Sequence, residues 1–240
     1  MNCGEIVKKL ESKKNPKNVE GMARFGIRPK TKVFGVPVPE LRKIVPMVGP
    51  SRILDKVGTK SIGKNHELAL KLWDTKIHEA RVLAGMIAEP DKLTASQIKK
   101  WVNDFDSWDV CDQACMNLFT KSEIAKKKIP EFAQSNKEFV KRTAFALMAA
   151  LAIHDKKMGD GDFIKFFSII KKASSDERNF VKKSVNWALR QIGKRNKNLN
   201  QKAMKLAEEI KKIDSKSAKW IAGDAIRELT DKKTLKRIKL

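Results

Sequence analysis

The stretch Phe139-Val140-Lys141-Arg142-Thr143 returns as Phe180-Val181-Lys182-Lys183-Ser184, 41 positions further along the chain. A fainter echo runs from Lys219-Trp220-Ile221-Ala222 to Ile226-Arg227-Glu228-Leu229. A period near 40 belongs to two-helix units of the HEAT or armadillo kind. These stack because no single pair can bury its own apolar face. Equivalent positions of successive units line one inner groove. The repeat therefore predicts that Arg142 and the Lys182/Lys183 pair track a phosphate backbone together.

The rest of the chain agrees with an all-α reading. Past residue 60, apolar residues recur at spacings of three and four, the signature of amphipathic helices. This predicts helices over Lys64–Trp73, Lys76–Ala88, Ala95–Asn103, Trp108–Phe119, Ser122–Ala133, Lys137–Ile153, Asp160–Lys172, Asp176–Lys194, Asn200–Lys211 and Ser217–Leu229. Gly26 to Glu40 is rich in proline and glycine and reads as a loop. No strand-like alternation bounded by turn pairs occurs. The expected architecture is a superhelical solenoid of HEAT-like two-helix repeats. With no linker or low-complexity segment in the way, residues 1–240 read as one domain.

Charge points to the partner. The chain carries 52 Lys and Arg against 28 Asp and Glu, a net charge of +24. Residues 1–120 hold 21 basic and 14 acidic side chains; residues 121–240 hold 31 and 14. A surplus placed mainly in the C-terminal half argues for a polyanion met chiefly by that half. An anionic membrane surface fits less well, because the basic helices lack a bulky apolar face. No apolar run approaches the roughly 18 residues that a membrane span requires. The N-terminus lacks the pattern of an export signal. Cys3, Cys111 and Cys115 have no framework spacing and read as thiols of a reducing compartment. The expected location is the cytoplasm, in association with the nucleoid.

The candidate chemistry lies in Asp106-Ser107-Trp108-Asp109-Val110-Cys111-Asp112. Asp106 or Ser107 can cap a helix that Trp108 opens, and Asp109 suits its first turn. At about 100° per residue, Cys111, Ala114, Cys115 and Leu118 form the buried stripe. Trp108 and Asp112, one turn apart, fall at its edge, where both can emerge into a groove. Asp109 is the runner-up carboxylate. Trp73, Trp101 and Trp220 read as core. The Cys111/Cys115 pair is explained by burial rather than metal binding. No P-loop or dinucleotide fingerprint occurs, and no serine or cysteine has a convincing histidine partner. No lysine sits inside an apolar pattern that would make it a nucleophile.

These motifs, with Gly21-Met22-Ala23-Arg24-Phe25 and Val33-Phe34-Gly35-Val36-Pro37-Val38-Pro39-Glu40-Leu41-Arg42, resemble the DNA alkylation repair family of AlkD-like glycosylases. The resemblance spans about residues 15 to 230. It implies a HEAT-like superhelix that holds duplex DNA and excises cationic N3-alkyladenine and N7-alkylguanine. It implies no cofactor and no metal, a monomer, and no obligate protein partner. The family's two tryptophans match Trp108 and Trp187, its carboxylate Asp112 and its arginine Arg142. The resemblance makes Asp112, Trp108 and Trp187 catalytic, and Arg142, Lys141, Lys182, Lys183 and Arg190 phosphate-binding. The chain departs from the pattern at Phe25, where the family often has tyrosine, and around Val36-Pro37, which offers no polar group. A non-enzymatic HEAT protein binding distorted or branched DNA is the competing expectation.

Overall fold

The computed structural model describes residues 1–48 and 63–238. Its helices are α1 (Cys3–Glu11), α2 (Pro16–Arg24), α3 (Val38–Ile44), α4 (His66–Asp74), α5 (His78–Ile87), α6 (Ala95–Asp104), α7 (Trp108–Asn117), α8 (Glu123–Lys127), α9 (Ile129–Ala133), α10 (Glu138–His154), α11 (Asp160–Ala173), α12 (Asn179–Gly193), α13 (Lys197–Lys211), α14 (Lys216–Leu229) and α15 (Lys232–Arg237). Short 3-10 turns follow α3, α5 and α7. Among the described residues there is no β-strand, and one isolated bridge joins Lys32 to Ile77.

The chain forms two compact units. One comprises residues 1–98 and 104–122, the other 99–103 and 123–240. In the first, α5 is the axis. It packs on α4 and α7, and every residue from His78 to Ile87 is buried. Trp73, Phe105 and Phe119 form its aromatic core, with Trp73 and Phe105 edge to face at 5.8 Å.

The N-terminal helices are short and strongly capped. Asn2 and Glu5 make a reciprocal capping box on α1, and Asn15 caps α2, whose first residue is Pro16. Both are sequence signals for a helix start. Gly26–Pro37 is non-helical, as expected for the Pro/Gly-rich stretch, but Val38 to Glu40 already belong to α3.

That loop is held by one side chain. Glu79 of α5 is buried and accepts hydrogen bonds from the backbone N–H groups of Phe34 (3.0 Å), Gly35 (2.6 Å) and Val36 (3.3 Å). A buried carboxylate is tolerated only when so satisfied. Gly35 has φ +78°, and a Cβ there would lie 2.3 Å from the Asn15 carbonyl. The Phe34-Gly35-Val36 run thus has a structural reason: a backbone turned toward Glu79 where only glycine fits.

The second unit shows the repeat. α10 and α12 share its most extensive contact; α12 also packs on α13 and α14, and α11 on α13. The period appears as a ladder of hydrogen bonds across 38 residues. Arg142 donates to the Phe180 carbonyl (2.7 Å), Lys171 to Glu209 (2.8 Å), Asn186 to Asp224 (2.6 Å) and Ser215 to Glu177 (2.9 Å). Arg190 pairs with Glu228 at the same spacing. Phe139 and Phe180, the first residues of the two repeated segments, stack at 5.4 Å. Equivalent positions lie one unit apart, as a stacked repeat requires.

Three expectations are corrected. Ser122–Ala133 is two helices, α8 and α9, broken at Lys128. Pro130 has no N–H to give and its ring crowds the carbonyl four residues back. The helix expected from Asp176 begins at Asn179, because the Asp176 carboxylate takes the Arg178 backbone N–H and guanidinium. Trp220 is not core: it is 43% exposed. Trp73 and Trp101 are buried, as expected.

Candidate nucleic-acid interface

α7 carries the first half of the constellation. Val110, Cys111, Ala114 and Cys115 are buried against the rest of the first unit. Trp108 and Asp112 are partly exposed at the edge of that stripe. The helix is tied down at its start. Ser107 is the N-cap residue but makes no side-chain cap bond. Asp106 instead accepts from the Lys30 backbone N–H (2.9 Å) and pairs with buried Arg81. Asp109 accepts from His78 Nε2 at 2.8 Å. Burial pushes the Asp109 carboxyl up, but the His78 hydrogen bond and charge outweigh this and hold it below the ordinary value. Asp109 is thereby tied to α5.

Trp108 is fixed by its own indole, whose Nε1–H donates to the Phe25 carbonyl at 3.1 Å. The ring forms one wall of an open cleft of about 350 Å³, lined by α2 and the Gly35–Pro37 turn. Phe25, at the end of α2, stands at this cleft and is 76% exposed. The sequence reading passed over Phe25 as a departure from a family pattern; its exposure shows only in three dimensions.

The second half sits on α10 and α12 of the second unit. Arg142 is 5% exposed and donates to the Phe180 carbonyl. Lys141 pairs with Asp176 (3.1 Å), which also binds Arg178. The Arg178 guanidinium and then Lys141 hold the Asp176 carboxyl down at about 2, against the opposing effect of burial. Trp187 is partly exposed. Gln191, with its amide oxygen turned inward, accepts from Trp187 Nε1 (3.2 Å) and Lys194 Nζ (3.1 Å). Arg190 and Lys194 both pair with Glu228. Lys183 is exposed, and Lys182 Nζ lies 5.4 Å from the centre of the exposed Trp220 ring.

Of the five predicted phosphate ligands, Arg142, Lys141 and Arg190 are thus engaged within the fold, while Lys182 and Lys183 reach toward solvent. The repeat located these positions; it could not say which are spent on holding repeats together. Lys64 is a lysine the sequence reading did not single out. Burial, then the charge of Lys121, lowers its ammonium to about 8. Its Nζ is taken by the carbonyls of Met86 (2.7 Å) and Ala88 (3.0 Å), so it ends α5 rather than offering a free amine. Among the described residues no group of three or more metal-binding side chains occurs, and no helix is long and apolar enough to cross a membrane.

The fold is that of an all-α protein built from HEAT-like repeats. A solved structure from a new family of proteins related to the HEAT-like repeat DNA glycosylases, with affinity for branched DNA structures, superposes with a TM-score of 0.73 over 95% of each chain at 18% identity. The model of the DNA alkylation repair enzyme family matches residues 6–229, and the chain belongs to that family. Uncharacterised proteins of Listeria monocytogenes and Listeria innocua are 21% and 20% identical over 205 residues, 85% of this chain and 84% of each relative.

Proposed function

We propose that the protein is a DNA glycosylase that removes positively charged alkylated purines, N3-alkyladenine and N7-alkylguanine, from duplex DNA. The observation that carries this reading is the pairing on α7 of a partly exposed tryptophan and a partly exposed carboxylate one turn apart, in a chain of the alkylation repair family. Arg142 and Trp187, the other two positions of the constellation, are present on α10 and α12.

The chemistry suits these groups. An N-alkylated purine is already a cationic leaving group and needs no general acid. The C1′–N9 bond breaks, its electron pair leaves on the purine, and the base departs neutral. Positive charge then builds on the deoxyribose. The Asp112 carboxylate stabilises it and orients the water whose oxygen bonds to C1′; the water's proton passes to Asp112 and on to solvent. Trp108, one turn from Asp112, offers its π face to the sugar and to the developing charge. Arg142, buried and held by the Phe180 carbonyl, orders the repeats that carry the exposed cations. Lys182 and Lys183 extend the positive surface along the backbone, while Lys141 and Arg190 are paired with Asp176 and Glu228. Neither cofactor nor metal enters this reaction. The site of action is then the nucleoid, with the protein a monomer on its DNA.

The test is release of the methylated base from duplex DNA carrying N7-methylguanine or N3-methyladenine. A second reading is favoured by the branched-DNA affinity described for the fold relative: binding of distorted DNA without chemistry. It predicts salt-sensitive binding and no released base from either lesion.

A further inference from the structure

The cleft beside Trp108 shares that ring with the proposed chemistry, but its other walls, on α2 and the Gly35–Pro37 turn, take no part in it. Among the described residues Phe25 is the most exposed of the large apolar side chains, at 76%, and stands at the cleft with Trp108, whose ring is locked by the hydrogen bond to the Phe25 carbonyl. Met22, Ile27 and Val36 add apolar lining, and Lys17 supplies a cation. Gly21 lines the same space, and a Cβ placed on it would meet no atom within 4 Å, so α2 leaves that side open. Water gains nothing from such a surface, and an aromatic ring left this exposed invites a planar partner.

We propose that this cleft takes one unpaired nucleobase of bound DNA, stacked on Phe25 or Trp108, with Lys17 against the adjoining phosphate. The proposal rests on the preceding reading only in taking DNA as the partner. Charge complementarity selects that occupant: residues 1–120, which build the cleft, carry 21 basic against 14 acidic side chains, Lys17 lines it, and aromatic plates beside a lysine are how proteins hold unstacked bases without reading their sequence. An unpaired base is found where a duplex is bulged, gapped or branched, and the cleft would direct the protein to such sites.

The experiment uses the whole protein and two DNA probes, one with 2-aminopurine unpaired in a single-base bulge and one with the same base paired. The native protein is expected to bind the bulged probe more tightly and to change its 2-aminopurine emission. Phe25→Ala removes one plate, and Gly21→Leu fills the opening at a helical position with room for it. Each should weaken the bulged probe about tenfold, the worth of one base stack, with the paired probe unaffected. Circular dichroism checks that both variants remain folded. Equal affinity of the native protein for the two probes would overturn the proposal, as would a bulge preference that survives in both variants. Base release from paired N7-methylguanine DNA, measured alongside, separates the two ideas. Its absence in the native protein counts against the glycosylase alone, and a tenfold loss confined to bulged DNA supports the cleft alone.

Discussion

Asp112 and Asp109 share one helix and differ in what holds them. Asp109 is bound to His78 and lies low in pKa; the proposed mechanism takes Asp112, the carboxylate one turn from Trp108. Asp112→Asn keeps the shape but removes the charge, and a loss of at least about a hundredfold in base release is expected. Asp109→Asn should act on stability instead, lowering the melting temperature by several degrees with most of the release rate retained. Asp176 contributes to acid sensitivity. Its carboxyl titrates at about 2 when folded, against an ordinary 3.8. A depressed folded value stabilises above the unfolded pKa and is lost as pH falls, so its contribution is whole above about pH 5 and fades between about pH 4 and pH 2. Denaturant melts of Asp176→Asn should therefore fall well below the native protein at pH 6 and close on it near pH 2. The placement of Trp108 and Asp112 was legible from spacing alone, because a helix edge follows from 100° per residue. The exposure of Phe25 and Trp220 was not, because a single aromatic carries no record of which face is covered.

At the scale of elements, the loop before α3 and the last turn of α12 are the sensitive places. Gly35 combines a left-handed φ with a Cβ position 2.3 Å from a backbone oxygen. Gly35→Ala should cost about 2 kcal/mol or more by denaturant melting. Glu79→Ala would strand buried N–H groups of Phe34, Gly35 and Val36 and cost about 3 kcal/mol, loosening the wall that faces Trp108. At Gly193 a Cβ would sit 2.8 Å from Leu229 and 2.9 Å from Ala203. Gly193→Ala is expected to destabilise by about 1–2 kcal/mol through overpacking, even though alanine is the better helix former. Each value is checked by the shift in the denaturation midpoint, and a neutral result at Gly193 would mean that α12 and α14 have slack. The long helices past residue 60 were readable because three turns or more of amphipathic pattern outweigh local noise. α1 and α2 were not read as helices; their capping signals, Asn2 with Glu5 and Asn15 before Pro16, were the available evidence of helix starts. The break at Lys128 needed only the rule for proline.

For the molecule as a whole, the 41-residue offset between Phe139 and Phe180 foretold stacked repeats, and the 38-residue ladder of hydrogen bonds is its physical form. What the offset concealed is that a repeat spends cations on itself: Arg142, Lys141 and Arg190 join neighbouring elements. Lys182 and Lys183 should then carry a larger share of the DNA contact. Plotting log affinity against log salt should give a steep negative slope, and the Lys182→Ala/Lys183→Ala variant should reduce its magnitude by about 2, near 0.9 for each lost phosphate contact. An unchanged slope would place the DNA elsewhere. The central claim is chemical, and one assay addresses it: release of free base from duplex DNA containing N7-methylguanine, by the native protein beside Asp112→Asn. The account predicts release by the native protein and its collapse in the variant. Binding without release by the native protein, or an undiminished rate in Asp112→Asn, would contradict it.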